Sequence, residues 1–282
     1  MSTRIDLAPT FLDGPQGRLF VMRWRPHGTP RGTVLFVPPF GEEMNRARRL
    51  MAETGQRLAA AGMSGMLPDL SGTGDSPGSF AEASWTGWVA EIEHLLDRLA
   101  GSDEGPVHLV ALRAGALLTA GCSAPRLAEL ASLSVVKPIA SGASYARQLL
   151  RTRLAANLAG TRRETTAGLR AQMADGASLE IGGYPMGSGI FDRLERARLD
   201  AAPLPTDLRL RWYEIGQAPE APGTPAGLPE AWRAQGVEVR YIADPPFWNI
   251  QDPDEGTGVR DALVADLSAG LRSSAAHGSV AA

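Results

Sequence analysis

The segment His108–Leu118, HLVALRAGALL, joins two apolar runs through a tip of small residues that flank a single arginine. A β-rich run, a small residue, a glycine four positions later and then a run of helical character form a strand-to-helix elbow. In such a turn the central residue sits on a strained backbone with its side chain exposed above a sheet. Ala111 and Gly115 supply the small neighbours that a close approach of strand and helix demands. The tip itself is Arg113.

Working outward, short β-rich runs alternate with longer segments of helical period, which predicts an α/β protein with a mainly parallel central sheet flanked by helices. Leu19–Trp24 alternates as a strand, and Gly32–Val37 is an apolar strand that stops at Pro38-Pro39. Apolar positions recur at helical spacing over Asn45–Ala61, Gly62 ends the helix, and Met63–Leu67 leads as a strand into the turn Asp69–Ser76. Trp85–Leu99 reads as a helix capped by Ser84, Val107–Leu112 as the elbow strand, Gly115–Gly121 as the helix after it and Ser132–Val136 as the next strand. Residues 145–199 are Arg- and Ala-rich and mostly helical in period, with a break at Gly182–Pro185, and read as an inserted helical cap over about 145–200. The sheet pattern resumes at Leu208–Ile215, followed by the loop Gln217–Pro229, a helix around Ala231, the strand Val237–Ile242 and a helix after Asp261. One domain over residues 1–272, with a frayed tail over 273–282, is expected.

The chain has 282 residues, is 44% apolar and 21% charged, and carries a formal charge of −3. Those values favour neither a disordered nor a membrane class and give no global field for nucleic acid. No segment offers about 18 consecutive apolar residues or the h-region of a signal peptide, so a cytoplasmic protein without an integral membrane segment is expected. A lone cysteine, Cys122, excludes an internal disulfide and a multi-cysteine metal site. Neither a dinucleotide fingerprint nor a P-loop is present, and no metal or cofactor is expected.

In chain order, Val37-Pro38-Pro39-Phe40-Gly41 after one strand, Asp69–Ser76 after the next and the elbow after a third resemble the α/β-hydrolases. The stretches Pro39–Asn45, Asp69–Ser76, Leu112–Gly115 and Pro246–Trp248 are similar to the second type of exosortase A system-associated hydrolases, over about Arg31 to Trp248. That resemblance implies the α/β-hydrolase fold, a hydrolase label and association with PEP-CTERM sorting and exopolysaccharide systems. The LRAG elbow is itself a feature of that group.

A serine hydrolase of this fold needs an elbow nucleophile, a late acid and a histidine near the last strand. Arg113 cannot attack a carbonyl, because its guanidinium stays protonated and offers no lone pair. The segment where the histidine belongs reads Asp244–Gln251, with Trp248 and no imidazole. His27, His94, His108 and His277 fall elsewhere: before the core strands, on a helix, at the wrong end of the elbow strand and in the tail. Cys122 reads as a buried structural thiol, Ser71 and Ser76 as turn residues, and Ser141 and Ser144 as loop residues without a visible base.

A cation at a helix N-terminus is unfavourable unless a negative group accompanies it. Glu42 and Glu43 follow the strand that supplies an oxyanion-hole N–H in this fold, so either could fork with Arg113. Two uses stand open. An ion pair could lock a disused pocket, or Arg113 with the Ala114 and Phe40 N–H groups could hold a small anionic or acyl ligand, with a glutamate as a conceivable base on water. The chain is thus expected to be an atypical hydrolase of an ester, thioester or acyl-saccharide, or a non-catalytic relative that binds an anionic ligand or a partner protein. Trp248 could line the pocket or simply pack; Trp85 and Trp88 read as core. Arg147, Arg151, Arg153, Arg162, Arg163 and Arg170 read as a solvated basic cap face.

Overall fold

The structure, a computed structural model, describes residues 5–157, 164–216, 223–249 and 257–277, with side chains placed through residue 269. The elements in chain order are β1 (Ile5–Gly14), β2 (Gly17–Pro26), β3 (Thr33–Val37), α1 (Glu42–Ala60), β4 (Ser64–Pro68), α2 (Trp85–Ala100), β5 (Val107–Leu112) and α3 (Gly115–Thr119). They continue with α4 (Ala124–Ala128), β6 (Leu130–Val136), α5 (Gly142–Ala156), α6 (Thr166–Ala174), β7 (Leu179–Ile181), β8 (Tyr184–Met186) and α7 (Ser188–Arg196). A 3-10 turn (Leu199–Ala201), β9 (Arg209–Ile215), α8 (Glu230–Ala234), β10 (Glu238–Ile242) and α9 (Thr257–His277) complete the described chain.

Eight strands form one sheet in the order β1-β2-β4-β3-β5-β6-β9-β10. β1 pairs antiparallel with β2, and β2 antiparallel with β4; every other pairing is parallel. Both faces of the central strands are covered, which is why β3 and β5 are almost continuously apolar. On β5, Leu109 and Ala111 face the α2 side with Trp88 and Leu96, while Val110 and Leu112 face the α1 and α9 side with Met51 and Leu263.

β1 escaped the sequence reading, which placed nothing before Leu19. It is an edge strand that includes Pro9, and it leaves Leu7 and Phe11 55% and 41% exposed, so its apolar residues follow no one-sided alternation. The segment between β6 and β9 carries α5, α6 and α7 but is not wholly helical. Gly182 and Gly183, at φ 59° and 83°, make a tight turn that pairs β7 with β8 as a small hairpin where the sequence showed only a break. α9 runs to His277, into the stretch expected as a tail, because Ser-Ser-Ala-Ala continues a helix as readily as it frays. Residues 278–282 of that tail lie outside the described residues.

Candidate functional site at the elbow

β5 ends at Leu112, and the chain turns on Arg113 at φ 53°, a left-handed conformation that costs a non-glycine residue about 1–3 kcal/mol. The turn is tied on both sides: the Arg113 N–H donates to the Val136 carbonyl (3.0 Å), and its own carbonyl accepts from Ile139 (3.2 Å) and Ala116 (3.2 Å). Gly115 is required two residues on, since a Cβ there would stand 2.4 Å from the Val37 carbonyl oxygen. Arg113 thus stands at the tip of the turn between β5 and α3. Ala114 is fully buried where α3 begins.

The guanidinium is enclosed on every edge. Nε and Nη2 donate to the two carboxylate oxygens of Glu43 at 3.1 Å each, a bidentate fork, and Nη1 donates to the Lys137 carbonyl at 3.0 Å. The Trp248 ring covers one face, with its centroid 4.3 Å from Cζ. The side chains of Arg113 and Glu43 are only 7% and 13% exposed. Glu42 turns elsewhere: neighbours on a helix point about 100° apart, and it is 52% exposed and paired with Arg46. The choice between Glu42 and Glu43 is therefore made by the phase of α1.

Two further side chains complete the cluster. Tyr145, buried in the first turn of α5, lies close enough to Glu43 and Arg113 for its phenol to feel both charges. Burial first, and then the Glu43 charge, push its phenol well above the ordinary range, with Arg113 acting against them, so it stays neutral. Phe40 packs its ring against Trp88 (5.5 Å), Tyr145 (6.0 Å) and Trp85 (6.4 Å), forming an apolar wall behind the ion pair. Beside the elbow, Lys137 is a second non-glycine residue at positive φ (41°) and forms an ion pair with Glu214, whose other oxygen accepts from Trp212 Nε1 (2.9 Å). Sequence reasoning missed Tyr145, Lys137 and Glu214; the one available hint was an aromatic residue four positions after Ser141, the N-cap of α5.

The remaining candidates lie apart from this cluster. His108, at the opposite end of β5, shares a 2.8 Å hydrogen bond with Ser132; burial, reinforced by Arg211 and Arg209, lowers its pKa to about 4. His27 lies beside Asp6 on the outer hairpin, His94 lies on α2, and the His277 side chain is outside the described residues. Ser71 donates to the buried carboxyl of Glu91, which burial pushes upward, and Ser76 donates to the Asp69 carbonyl while accepting from the Phe20 N–H (2.8 Å). Cys122 is buried and its thiol is pushed up to about 12 by that burial. Ser141 caps α5, and Ser144 accepts from Arg147 (2.9 Å). On the segment between β6 and β9, Arg153 pairs with Glu164 and Arg170 with Glu195, while Arg162 and Arg163 are outside the described residues. Among the described residues no three His, Cys, Asp or Glu side chains are grouped to hold a metal ion, and no helix is long and apolar enough to cross a membrane.

This sheet, its crossovers and its elbow define an α/β-hydrolase fold. Est1E from Butyrivibrio proteoclasticus, solved with ferulic acid bound, superposes with a TM-score of 0.63 at 13% identity, over 93% of this chain and 99% of that one. XC6422 from Xanthomonas campestris, described as a serine hydrolase without a lid, matches with a TM-score of 0.52 at 15% identity, over 98% and 97% of the two chains. The thioesterase domain from the curacin biosynthetic pathway matches with a TM-score of 0.51 at 16% identity, over 94% and 98%. No family model and no curated protein matches the sequence.

Proposed function

We propose that this chain is an α/β-hydrolase-fold protein, of the exosortase-associated type its sequence resembles, in which the elbow recognises an anionic or acyl ligand instead of presenting a nucleophilic serine. The observation that carries the reading is the bidentate Arg113–Glu43 fork beneath Trp248. A planar cation with its donors in a fork is matched to a carboxylate, and a ligand carboxylate can take the place of Glu43 if α1 or the cap yields. Ferulic acid, the ligand bound in Est1E, is a carboxylate of suitable class to try first. The test uses ferulate and inorganic phosphate as probes in thermal melts. Ferulate is expected to raise the Tm of the wild type and to leave the Arg113→Met/Glu43→Leu variant unmoved; equal shifts in both would overturn the reading. A serine-reactive fluorophosphonate is expected to label neither protein.

A second reading, hydrolysis of an ester, thioester or acyl-saccharide, rests on the buried Glu43 carboxylate held beside the Arg113 guanidinium. Glu43 would take a proton from water, the hydroxide oxygen would bond to the acyl carbon, and Arg113 would face the developing oxyanion before the alcohol or thiol leaves with that proton. Hydrolysis of short p-nitrophenyl esters that is lost in Glu43→Gln, yet insensitive to fluorophosphonate, would establish this route in place of the first.

A further inference from the structure

Away from the elbow, a cavity of about 340 Å³ opens between α2, α3 and the α7 arm of the cap. Its size falls at the lower end of small-molecule sites. The floor is apolar, built by Trp85, Val89, Leu117 and Ala120, and the rim is basic, with Arg193, Arg196 and Arg198 against a single acid, Glu93. That acid is already engaged, accepting the Ser123 N–H at 2.6 Å, and Arg198 is held by Asp200 at 2.9 Å. Arg193 and Arg196 have no acidic partner among the described residues, whereas Arg153 and Arg170 on the same cap are both paired. They stand three positions apart in the last turn of α7, so both overhang one side of the cavity. Compensation of the helix dipole accounts for cations in a last turn. It does not account for their facing a tryptophan-floored hollow.

We infer that this cavity binds a carboxylate-terminated acyl chain, with its methylenes on Trp85, Val89, Leu117 and Ala120 and its carboxylate between Arg193 and Arg196. The apolar floor lets the chain's own methylenes leave water, and the two guanidiniums fix which end of the chain points outward. The inference does not rest on the elbow reading, because none of the Arg113, Glu43, Tyr145 and Trp248 side chains lines the cavity. The two regions share one wall: Trp85 meets Phe40 edge-on at 6.4 Å, and Phe40 meets Tyr145.

Isothermal titration of the full chain with sodium decanoate tests the assignment, with decyltrimethylammonium as the chain of opposite charge. Saturable one-to-one binding of decanoate is expected, with none of the cationic amphiphile. Arg193→Ala/Arg196→Ala should weaken decanoate at least tenfold, and Val89→Trp, which fills the floor, should abolish binding. Both arginines are exposed, so their removal leaves the fold intact, and circular dichroism of each variant checks this. No saturable binding to the wild type, equal affinity in the double variant, or equal binding of both amphiphiles would each overturn the inference.

Discussion

The two ends of β5 bury titratable side chains by opposite means. At the carboxyl end, Arg113 keeps its charge and is matched by Glu43, the Lys137 carbonyl and the Trp248 face. At the amino end, His108 loses its charge: burial beside Arg211 and Arg209 makes the neutral ring the stable form, and one hydroxyl suffices as partner. The difference follows from intrinsic proton affinity. A guanidinium cannot shed its proton at any accessible pH, so burial obliges the fold to bring in a carboxylate; an imidazole can shed it.

The largest expected effect breaks the elbow half of that contrast. Arg113→Ala leaves Glu43 buried and uncompensated, and should cost about 3–5 kcal/mol in denaturant unfolding. Arg113→Met/Glu43→Leu removes both charges and should recover most of that loss, because a desolvated ion pair is worth little more than an apolar pair of similar volume. A double variant no more stable than Arg113→Ala would mean that the elbow depends on the guanidinium for something besides charge balance.

Next in size is the pH response at the other end. With a folded pKa of about 4 against an ordinary value near 6.5, folded His108 binds fewer protons than unfolded His108 between those two values. Stability is therefore whole above pH 6.5 and declines as pH falls towards 4, by about 3 kcal/mol from this group. Carboxylates titrate in the same range, so the measurement is the difference between wild type and His108→Gln. The variant should show the shallower fall; parallel curves would mean that His108 titrates alike in both states.

How much of this was legible in the sequence depends on distance along the chain. The elbow was readable because Ala111, Arg113 and Gly115 are neighbours, and the order of strands around them carried the fold. That Arg113 needed a negative partner followed from charge alone, yet the selection of Glu43 over Glu42 waited on the phase of α1. Tyr145 and Lys137 were not legible. They reach the elbow through the start of α5 and the end of β6, contacts over more than 20 residues that no local pattern encodes. β1 was illegible for another reason: Leu12 lies on its partly buried face and Leu7 and Phe11 on its exposed one, so hydrophobicity does not mark which side is covered.

The smallest effect sharpens the contrast at Trp248, which covers one face of the Arg113 guanidinium. If the ring were only apolar cover, Trp248→Leu would cost the same whether or not Arg113 lies beneath it. A tryptophan face at 4.3 Å from a desolvated guanidinium should add an electrostatic part of about 1–2 kcal/mol to that cost. Placing Trp248→Leu in the wild type and in Arg113→Met/Glu43→Leu isolates that part, since the packing loss is common to both backgrounds. A coupling above about 1 kcal/mol would make Trp248 a partner of the charge. A coupling near zero would leave Trp248 as packing and assign the whole burden of the buried charge to Glu43 and the Lys137 carbonyl.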